Sequence, residues 1–239
     1  VGTLAWNDYR HLELYYGVSG TGAILNTVNV RLALEDVAYV INHANSTIVF
    51  VDPSVAPLLE KVAAMVKDTV RHVVVMSAEP VQVTLPECIQ VHCYEELMAD
   101  SDENYEWPEF DEESGSVLSY TSGTTGRPKG VLYSHRSSLL QSYAVNSADV
   151  FGIRAVDRVL PAASMYHGTA WTLPYSAPMA GASLILPGRW LDGPSLHRII
   201  ESERVTFGLA VPTIWMGLLE HMDANDLTLG TMSRVMSGG

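Results

Sequence analysis

Residues 121 to 130 of the chain read Thr121-Ser122-Gly123-Thr124-Thr125-Gly126-Arg127-Pro128-Lys129-Gly130. The three glycines let backbone N–H groups come close to a ligand, the four hydroxyls can donate hydrogen bonds, and Lys129 adds a fixed cation. A dense anion such as a triphosphate needs these groups. Lys129 is one of only three lysines in the chain and the only one after Lys67. The stretch therefore predicts a loop that binds the phosphates of a nucleotide, above all ATP.

Both flanks of this loop have the composition of β-strands, over residues 117–121 and 131–134. The common P-loop pattern has Gly-Lys-Ser/Thr at its end and runs directly into a helix. Here Pro128 precedes Lys129, Gly130 follows it, and a β-rich run comes next. We therefore expect a strand–loop–strand clamp rather than a helix N-terminus. A flexible hairpin rich in Gly, Ser and Thr, without a ligand, is the alternative.

Elsewhere the chain alternates short apolar runs with longer runs of helical spacing. Residues 34–44 have helical spacing, 48–51 form an apolar run that ends at Asp52-Pro53, 54–66 are helical again, and 72–76 are strand-like. This rhythm implies parallel strands joined by crossover helices. The second half repeats it, with strands predicted at 158–160, 183–186, 205–210 and 234–236 and helices at about 135–150, 169–179, 195–203 and 213–222. The predicted fold class is α/β, with two α/β halves of mostly parallel sheet flanked by helices.

An acidic segment separates the two halves. Residues 95–113 hold ten acidic side chains and no Lys or Arg. We predict a first α/β portion at 1–98, an exposed acidic connector at 99–115 pinned by Trp107 and Phe110, and a second α/β portion with the phosphate-binding loop at 116–239. The net charge of −13 argues against nucleic acid as a partner. Both ends read as if cut from a longer polypeptide.

Cysteine content and hydropathy indicate the cellular compartment of the protein. Cys88 and Cys93 are the only cysteines, too few for a disulfide framework or a zinc site, which predicts reduced thiols in the cytoplasm. Residues 159–187 carry no Asp, Glu, Lys or Arg, but prolines and glycines interrupt them. No apolar run of about 18 residues occurs there, so a transmembrane helix is not expected.

The loop at 121–130 resembles the signature loop of the adenylate-forming superfamily, which comprises acyl-CoA synthetases, luciferases and peptide-synthetase adenylation domains. Two further segments resemble the medium- and long-chain fatty acyl-CoA synthetases. They are Met165-Tyr166-His167-Gly168-Thr169-Ala170-Trp171 and Gly208-Leu209-Ala210-Val211-Pro212-Thr213-Ile214-Trp215. Residues 4–7 and 42–44 fit the same branch. The resemblance covers essentially the whole chain and implies a fragment of the large N-terminal domain of such an enzyme.

This resemblance implies an ATP-dependent acid–thiol ligase, which forms acyl-AMP and pyrophosphate and then acyl-CoA. ATP, Mg²⁺ and coenzyme A would be its cofactors and co-substrates. Lys129 and His167 would be catalytic, Tyr166, His167 and Trp171 would contact the acid, and Thr121 would help to hold the metal. The nucleotide would be bound by Thr121, Ser122, Gly123, Thr124, Thr125, Gly126, Lys129, Gly238 and Gly239.

Several alternatives stay open at this stage. His167 and Trp171 can also be core residues, and the uncharged segment 159–187 can be either the wall of an alkyl tunnel or ordinary core. The acid can be short and sulfur-containing, or aromatic, instead of fatty. Two alternatives come from other functional classes. They are a non-catalytic nucleotide-binding module and a kinase-like phosphotransferase.

The partners that we expect are small molecules, namely the carboxylic acid, ATP and CoA. Peripheral membrane contact and a homodimer are further options. The ribose-binding Asp and the catalytic Lys that the resemblance would place downstream do not occur here. We therefore expect the 239 residues alone to be inactive as a ligase.

Overall fold

A computed structural model describes residues 1–121 and 126–238. The chain divides into two compact units, Val1–Trp6 with Arg10–His135 and Asn7–Tyr9 with Arg136–Gly239. Among the described residues, each unit contains one sheet, and every strand pair but one is parallel. The predicted α/β class, with mostly parallel sheet flanked by helices, is confirmed.

The sheet of the first unit has seven strands in the order β5-β4-β3-β1-β2-β6-β7. Of the strands that the structure describes in this sheet, β7 alone runs antiparallel, against β6. The strands are β1 Gly2–Leu4, β2 Leu25–Thr27, β3 Ile48–Val51, β4 His72–Val75, β5 Gln90–Cys93, β6 Gly115–Thr121 and β7 Lys129–Ser134. The helices are α1 Tyr9–Gly20, α2 Leu34–His43, α3 Ala56–Val66 and α4 Tyr94–Ala99.

Valine and isoleucine form most of the core of this unit. On α2, Val37, Val40 and Ile41 recur at helical spacing, so one face of the helix is fully buried. They pack with Val49 and Val51 of β3 in a single cluster. The β-branched side chains suit a strand with neighbours on both sides, which explains why the apolar run at 48–51 forms a strand in the middle of the sheet.

Two aromatic side chains of the predicted acidic connector, Trp107 and Phe110, pack on glycines at and after the end of α1. A Cβ on Gly20 would lie 2.5 Å from the Trp107 ring, and one on Gly22 would lie 3.3 Å from the Phe110 ring. Helix α1 extends to Gly20, and the absence of a side chain there lets the indole of Trp107 pack directly on it.

The sheet of the second unit has four parallel strands in the order β11-β10-β8-β9. The strands are β8 Arg158–Pro161, β9 Ser183–Leu184, β10 Phe207–Ala210 and β11 Arg234–Ser237. The helices are α5 His135–Val145, α6 Leu173–Met179, α7 Gly193–Ser202 and α8 Pro212–Asn225. Residues from β8 and β10, including Val159, Phe207 and Leu209, pack against Leu173 and Ala177 of α6.

The segment before α6 differs from its sequence prediction. A regular helix was expected over residues 169–179, but α6 begins only at Leu173. Residues Gly168–Thr172 form a short turn with positive φ at every position, from 45° at Ala170 to 66° at Thr172. Left-handed backbone costs an L-residue about 1–2 kcal/mol. Apolar spacing alone does not show such a turn.

The portions predicted at 1–98, 99–115 and 116–239 do not match these units one for one. Strand β6 pairs with β2 in parallel and carries β7 with it, so both strands lie in the first unit. The predicted boundaries remain a hypothesis about the chain. Among the described residues, no helix is long and apolar enough to cross a bilayer.

Candidate functional site

The base of the glycine-rich loop is an antiparallel strand pair. Thr121, the last residue of β6, lies opposite Lys129, the first residue of β7, and Tyr120 lies opposite Gly130. The loop is therefore flanked by strands on both sides, as predicted. Ser122, Gly123, Thr124 and Thr125 lie outside the described residues.

Within the described part of the loop, two predicted properties are present. Gly126 has φ +103°, a conformation that an L-residue rarely adopts, and no described atom lies within 4 Å of its ideal Cβ position. Lys129 is exposed and forms no ion pair with the carboxylates that the structure describes. A cation without an acidic neighbour on an exposed strand end is available to an anionic ligand.

Gly130 serves close packing rather than an unusual backbone angle. An ideal Cβ there would lie 3.3 Å from Cζ of Tyr120. Tyr120 is 5% exposed, and burial, followed by the nearby Tyr39, raises the pKa of its phenol. The aromatic ring thus fills the space beside the loop, and a larger residue at position 130 would displace it.

In the second unit, several predicted residues follow strands that run in parallel. The segment with His167 and Trp171 follows β8, Val211 follows β10 and Gly238 follows β11. Because parallel strands end at the same edge of a sheet, these residues all follow the carboxyl edge, where ligands bind in open α/β sheets. The glycine-rich loop belongs to the other unit.

Asn7 organises the start of the His167 segment, a role that the sequence analysis missed. Its Nδ2 donates hydrogen bonds to the carbonyls of Pro161 and Ala163, and the Met165 N–H donates to its Oδ1, all at 2.8 Å. The N–H of Gly188 donates to its backbone carbonyl at 2.9 Å. Asn7 is 4% exposed. A single buried Asn that is far from this segment in sequence produces no periodic pattern. Its only signal in the sequence is that residues 4–7 fit the family resemblance.

The three residues predicted to contact the acid differ in exposure. Tyr166 is buried at 3%, whereas His167 is exposed and Trp171 is 43% exposed. His167 occupies the position before the left-handed turn, with extended backbone, and the turn then presents Trp171. His167 and Trp171 are thus surface side chains of this unit, so the alternative that they are core residues is not supported.

Trp171 meets Gly238, another predicted site residue. An ideal Cβ on Gly238 would lie 2.6 Å from Cη2 of the indole. Beside it, Trp215 donates from its indole nitrogen to the carbonyl of Met236 at 3.0 Å and covers Gly208, where a Cβ would lie 2.7 Å away. Gly239 lies outside the described residues.

The residues near Thr121 were tested for their fit to Mg²⁺. No group of three or more His, Cys, Asp or Glu side chains that could hold a metal occurs in the part of the chain that the structure describes. Thr121 is exposed at the end of β6 and offers a single oxygen. A hydroxyl oxygen is a hard donor of the kind that Mg²⁺ takes, and Mg²⁺ in proteins usually keeps several waters and binds substrate phosphates as well.

Comparison with protein families decides where the chain belongs. The model of the family described as AMP-binding enzyme matches residues 1–239. The chain belongs to this family. Among its relatives is the 3-methylmercaptopropionyl-CoA ligase of Ruegeria lacuscaerulensis, 44% identical over 239 residues, with all of the chain and 44% of the relative covered. The medium-chain-fatty-acid–CoA ligase of Ectopseudomonas oleovorans is 43% identical, with 99% and 43% covered.

Solved structures show the same fold. An anthranilate CoA ligase in complex with anthranoyl-AMP superposes with a TM-score of 0.84 at 22% identity, covering 99% of this chain and 44% of that one. A long-chain-fatty-acid-CoA ligase from Archaeoglobus fulgidus also gives 0.84, at 20% identity and with 100% and 45% covered. The AMP-binding chain described here thus spans less than half the length of these relatives.

Proposed function

We propose that this chain is the nucleotide- and acid-binding part of an AMP-forming acyl-CoA ligase. The observation that carries the proposal is the exposed Lys129, without an acidic partner among the described residues, opposite Thr121 at the base of the glycine-rich loop. In a member of the AMP-binding enzyme family, such a loop would bind the β- and γ-phosphates of ATP. Membership of the family and the geometry of the loop base therefore support the same assignment.

The residues of the chain would share the work of the first half-reaction. A carboxylate oxygen attacks the α-phosphate, the bond to the bridging oxygen breaks, and pyrophosphate leaves with the additional negative charge. Lys129 would stabilise that charge, because a cation aimed at developing charge lowers the barrier. When bound, Mg²⁺ would neutralise further phosphate charge, with Thr121 as one ligand. His167 would orient and polarise the acid.

The names of the two relatives reported above suggest two kinds of acid for this chain. One is a fatty acid and the other is a short acid with a thioether. A fatty acid would need an apolar wall, and each CH₂ it buries contributes about 0.8 kcal/mol. The uncharged segment 159–187 and the exposed Trp171 suit such a wall. The fatty acid is our first choice and 3-methylmercaptopropionate the second.

Acid-dependent exchange of labelled pyrophosphate into ATP, measured with the natural protein that carries this chain, tests the reaction. We expect exchange with octanoate and, once CoA is added, release of AMP rather than ADP. ADP with γ-phosphate transfer would indicate a kinase. No exchange with any acid, despite ATP binding, would indicate a non-catalytic module. Thioester formation from acetate-sized acids, with none from octanoate, would overturn the choice of a fatty acid.

The proposal also covers the compartment, the partners and the oligomeric state of the enzyme. We place it in the cytoplasm, acting on small molecules, with peripheral membrane contact through a fatty substrate and a homodimer as further elements. The 239 residues alone are expected to form no thioester, and robust thioester formation by the purified chain would contradict this.

A further inference from the structure

Two side chains of α2, Tyr39 and His43, contact the phosphate-binding loop and its base. They are four residues apart, so they lie on the same face of the helix, and their ring centroids are 5.2 Å apart. The sequence analysis gave neither residue a role, and no part of the proposed reaction uses them.

His43 holds the base of the loop. Its Nδ1 and the hydroxyl of Tyr120 share a hydrogen bond of 2.7 Å, and the two rings meet edge to face at 5.8 Å. Tyr120 immediately precedes Thr121, and its ring packs on Gly130, its partner across the strand pair. The hydrogen bond therefore fixes the residues on both sides of the Thr121–Lys129 pair.

Tyr39 holds the body of the loop. The guanidinium carbon of Arg127 lies 4.9 Å from the centroid of the Tyr39 ring, within the range of a cation–π contact. Arg127 is exposed, and within residues 1–121 and 126–238 no carboxylate pairs with it. An acidic partner would neutralise the guanidinium, whereas an aromatic face holds it and leaves its charge intact.

We propose that Tyr39 and His43 are positioning residues of the phosphate-binding loop. His43 fixes the loop base through Tyr120, and Tyr39 holds Arg127 in place without neutralising it. Arg127 and Lys129 then present two cations to a polyphosphate. The identity of the ligand rests on the proposed function, whereas the anchoring does not.

Amide hydrogen exchange at Arg127, Lys129 and Gly130 of the chain tests the anchoring, with tryptic cleavage at the Lys129–Gly130 bond as a second measure of loop opening. Tyr39→Leu removes the aromatic face and should speed both by about two- to five-fold. Tyr39→Phe keeps the face and should leave them unchanged. His43→Ala should speed both by about two- to ten-fold. A Tyr39→Phe effect as large as that of Tyr39→Leu would overturn the cation–π contact.

Tyr39 also packs against the core, so a second route avoids effects on folding. Arg127→Gln alters an exposed side chain and should loosen the loop as much as Tyr39→Leu. The double variant should be no looser than either single variant, since both remove the same contact. Additive effects, or no effect of Arg127→Gln, would overturn the proposal.

Inorganic pyrophosphate separates the anchoring from the ligand. It should slow tryptic cleavage of the unaltered chain, and Arg127→Gln should weaken that protection. If pyrophosphate gives no protection while the variants still loosen the loop, the proposed function fails and the anchoring stands. If pyrophosphate protects but the variants leave the loop unchanged, the anchoring is wrong and the proposed function stands.

Discussion

Trp171 packs directly against Gly238, so that an ideal Cβ on the glycine would lie 2.6 Å from Cη2 of the indole. One residue follows β8 and the other follows β11, which are separated by β10 in the sheet. From the sequence, Trp171 is predicted to contact the acid and Gly238 the nucleotide. Because the two residues are in contact, a larger side chain at position 238 should displace the Trp171 indole.

Gly238→Ala should displace the Trp171 indole. The indole is 43% exposed and can move outward, so we expect a cost of about 1 kcal/mol, at the low end of overpacking effects. The indole N–H signal of Trp171 in a two-dimensional NMR spectrum should shift. Gly217→Ala on α8 is the control, because nothing lies within 4 Å of its Cβ position. It should stabilise the chain by about 0.5–1 kcal/mol. An unmoved Trp171 signal in Gly238→Ala would contradict the contact.

Lys129→Ala should slow acid-dependent pyrophosphate exchange by the natural protein about 10–1000-fold, the range for loss of one transition-state donor. Lys129→Arg should recover only part of the rate, because the planar guanidinium does not reproduce a compact ammonium. Lys67→Ala, an exposed lysine at the end of α3, is the matched control and should keep the rate. An unchanged rate in Lys129→Ala would remove this residue from the mechanism.

Asn7→Ala should destabilise the chain and loosen the segment that leads to His167. It removes the three hydrogen bonds of the Asn7 side chain, two to carbonyls and one from the Met165 N–H, and such losses cost about 2–4 kcal/mol together. Urea unfolding measures the total, and amide exchange at Met165 measures the local effect. Asn7→Asp should be no better, because its carboxylate would face the carbonyls of Pro161 and Ala163. Unchanged exchange at Met165 would show that Asn7 does not hold the segment.

The sequence predicted the regular part of this fold well, for physical reasons that are visible in particular elements. The apolar run at 48–51 forms β3 at those residues, and 34–44 gives α2, because a core-facing period is a local property of the chain. The strand–loop–strand arrangement at 121–130 followed from Pro128 and Gly130 in the same way. Features that depend on distant partners were missed.

Asn7 belongs to this second group, whereas the left-handed turn at Gly168–Thr172 was missed for a local reason. Asn7 acts on residues more than 150 positions away, and no local pattern records that. The apolar residues of the turn have the spacing of a helix, which is why the sequence predicts a helix there. The backbone of the turn is nevertheless left-handed. The contact of Arg127 with Tyr39 likewise joins a loop to a helix that precedes it by more than 80 residues.

His11 should make the stability of the chain depend on pH between about 4 and 6.5. It is fully buried, and burial lowers its pKa to about 4, although the bond to the Trp6 carbonyl and the charge of Asp52 act in the opposite direction. The unfolded state then binds more protons in this range. The stabilisation is therefore complete above pH 6.5 and is lost as the pH falls towards 4, by up to about 3 kcal/mol. Urea unfolding at several pH values measures it, and His11→Gln should flatten the slope.

Asp157 should stabilise the second unit from the edge of the sheet opposite the candidate site. It precedes β8, Thr206 precedes β10, and Arg234 begins β11, so one carboxylate joins the amino ends of three neighbouring strands. Arg234 lies 2.6 Å away, the Thr206 hydroxyl donates at 2.9 Å, and the Arg154 N–H donates at 2.8 Å. Burial opposes ionisation of Asp157, but these hydrogen bonds outweigh it and lower its pKa to about 2.

Asp157→Asn should therefore cost about 1.5–3 kcal/mol at pH 7, the range for hydrogen bonds to a charged group. Since the folded pKa lies below the usual 3.8, the contribution of Asp157 is complete above about pH 4 and is lost as the pH falls towards 2. The difference between variant and unaltered chain in urea unfolding should shrink over that interval. Asp223→Asn, exposed on α8, is the matched control and should stay within about 0.5 kcal/mol. A difference that persists unchanged at pH 2 would show that the charge of Asp157 is not what joins the three strands.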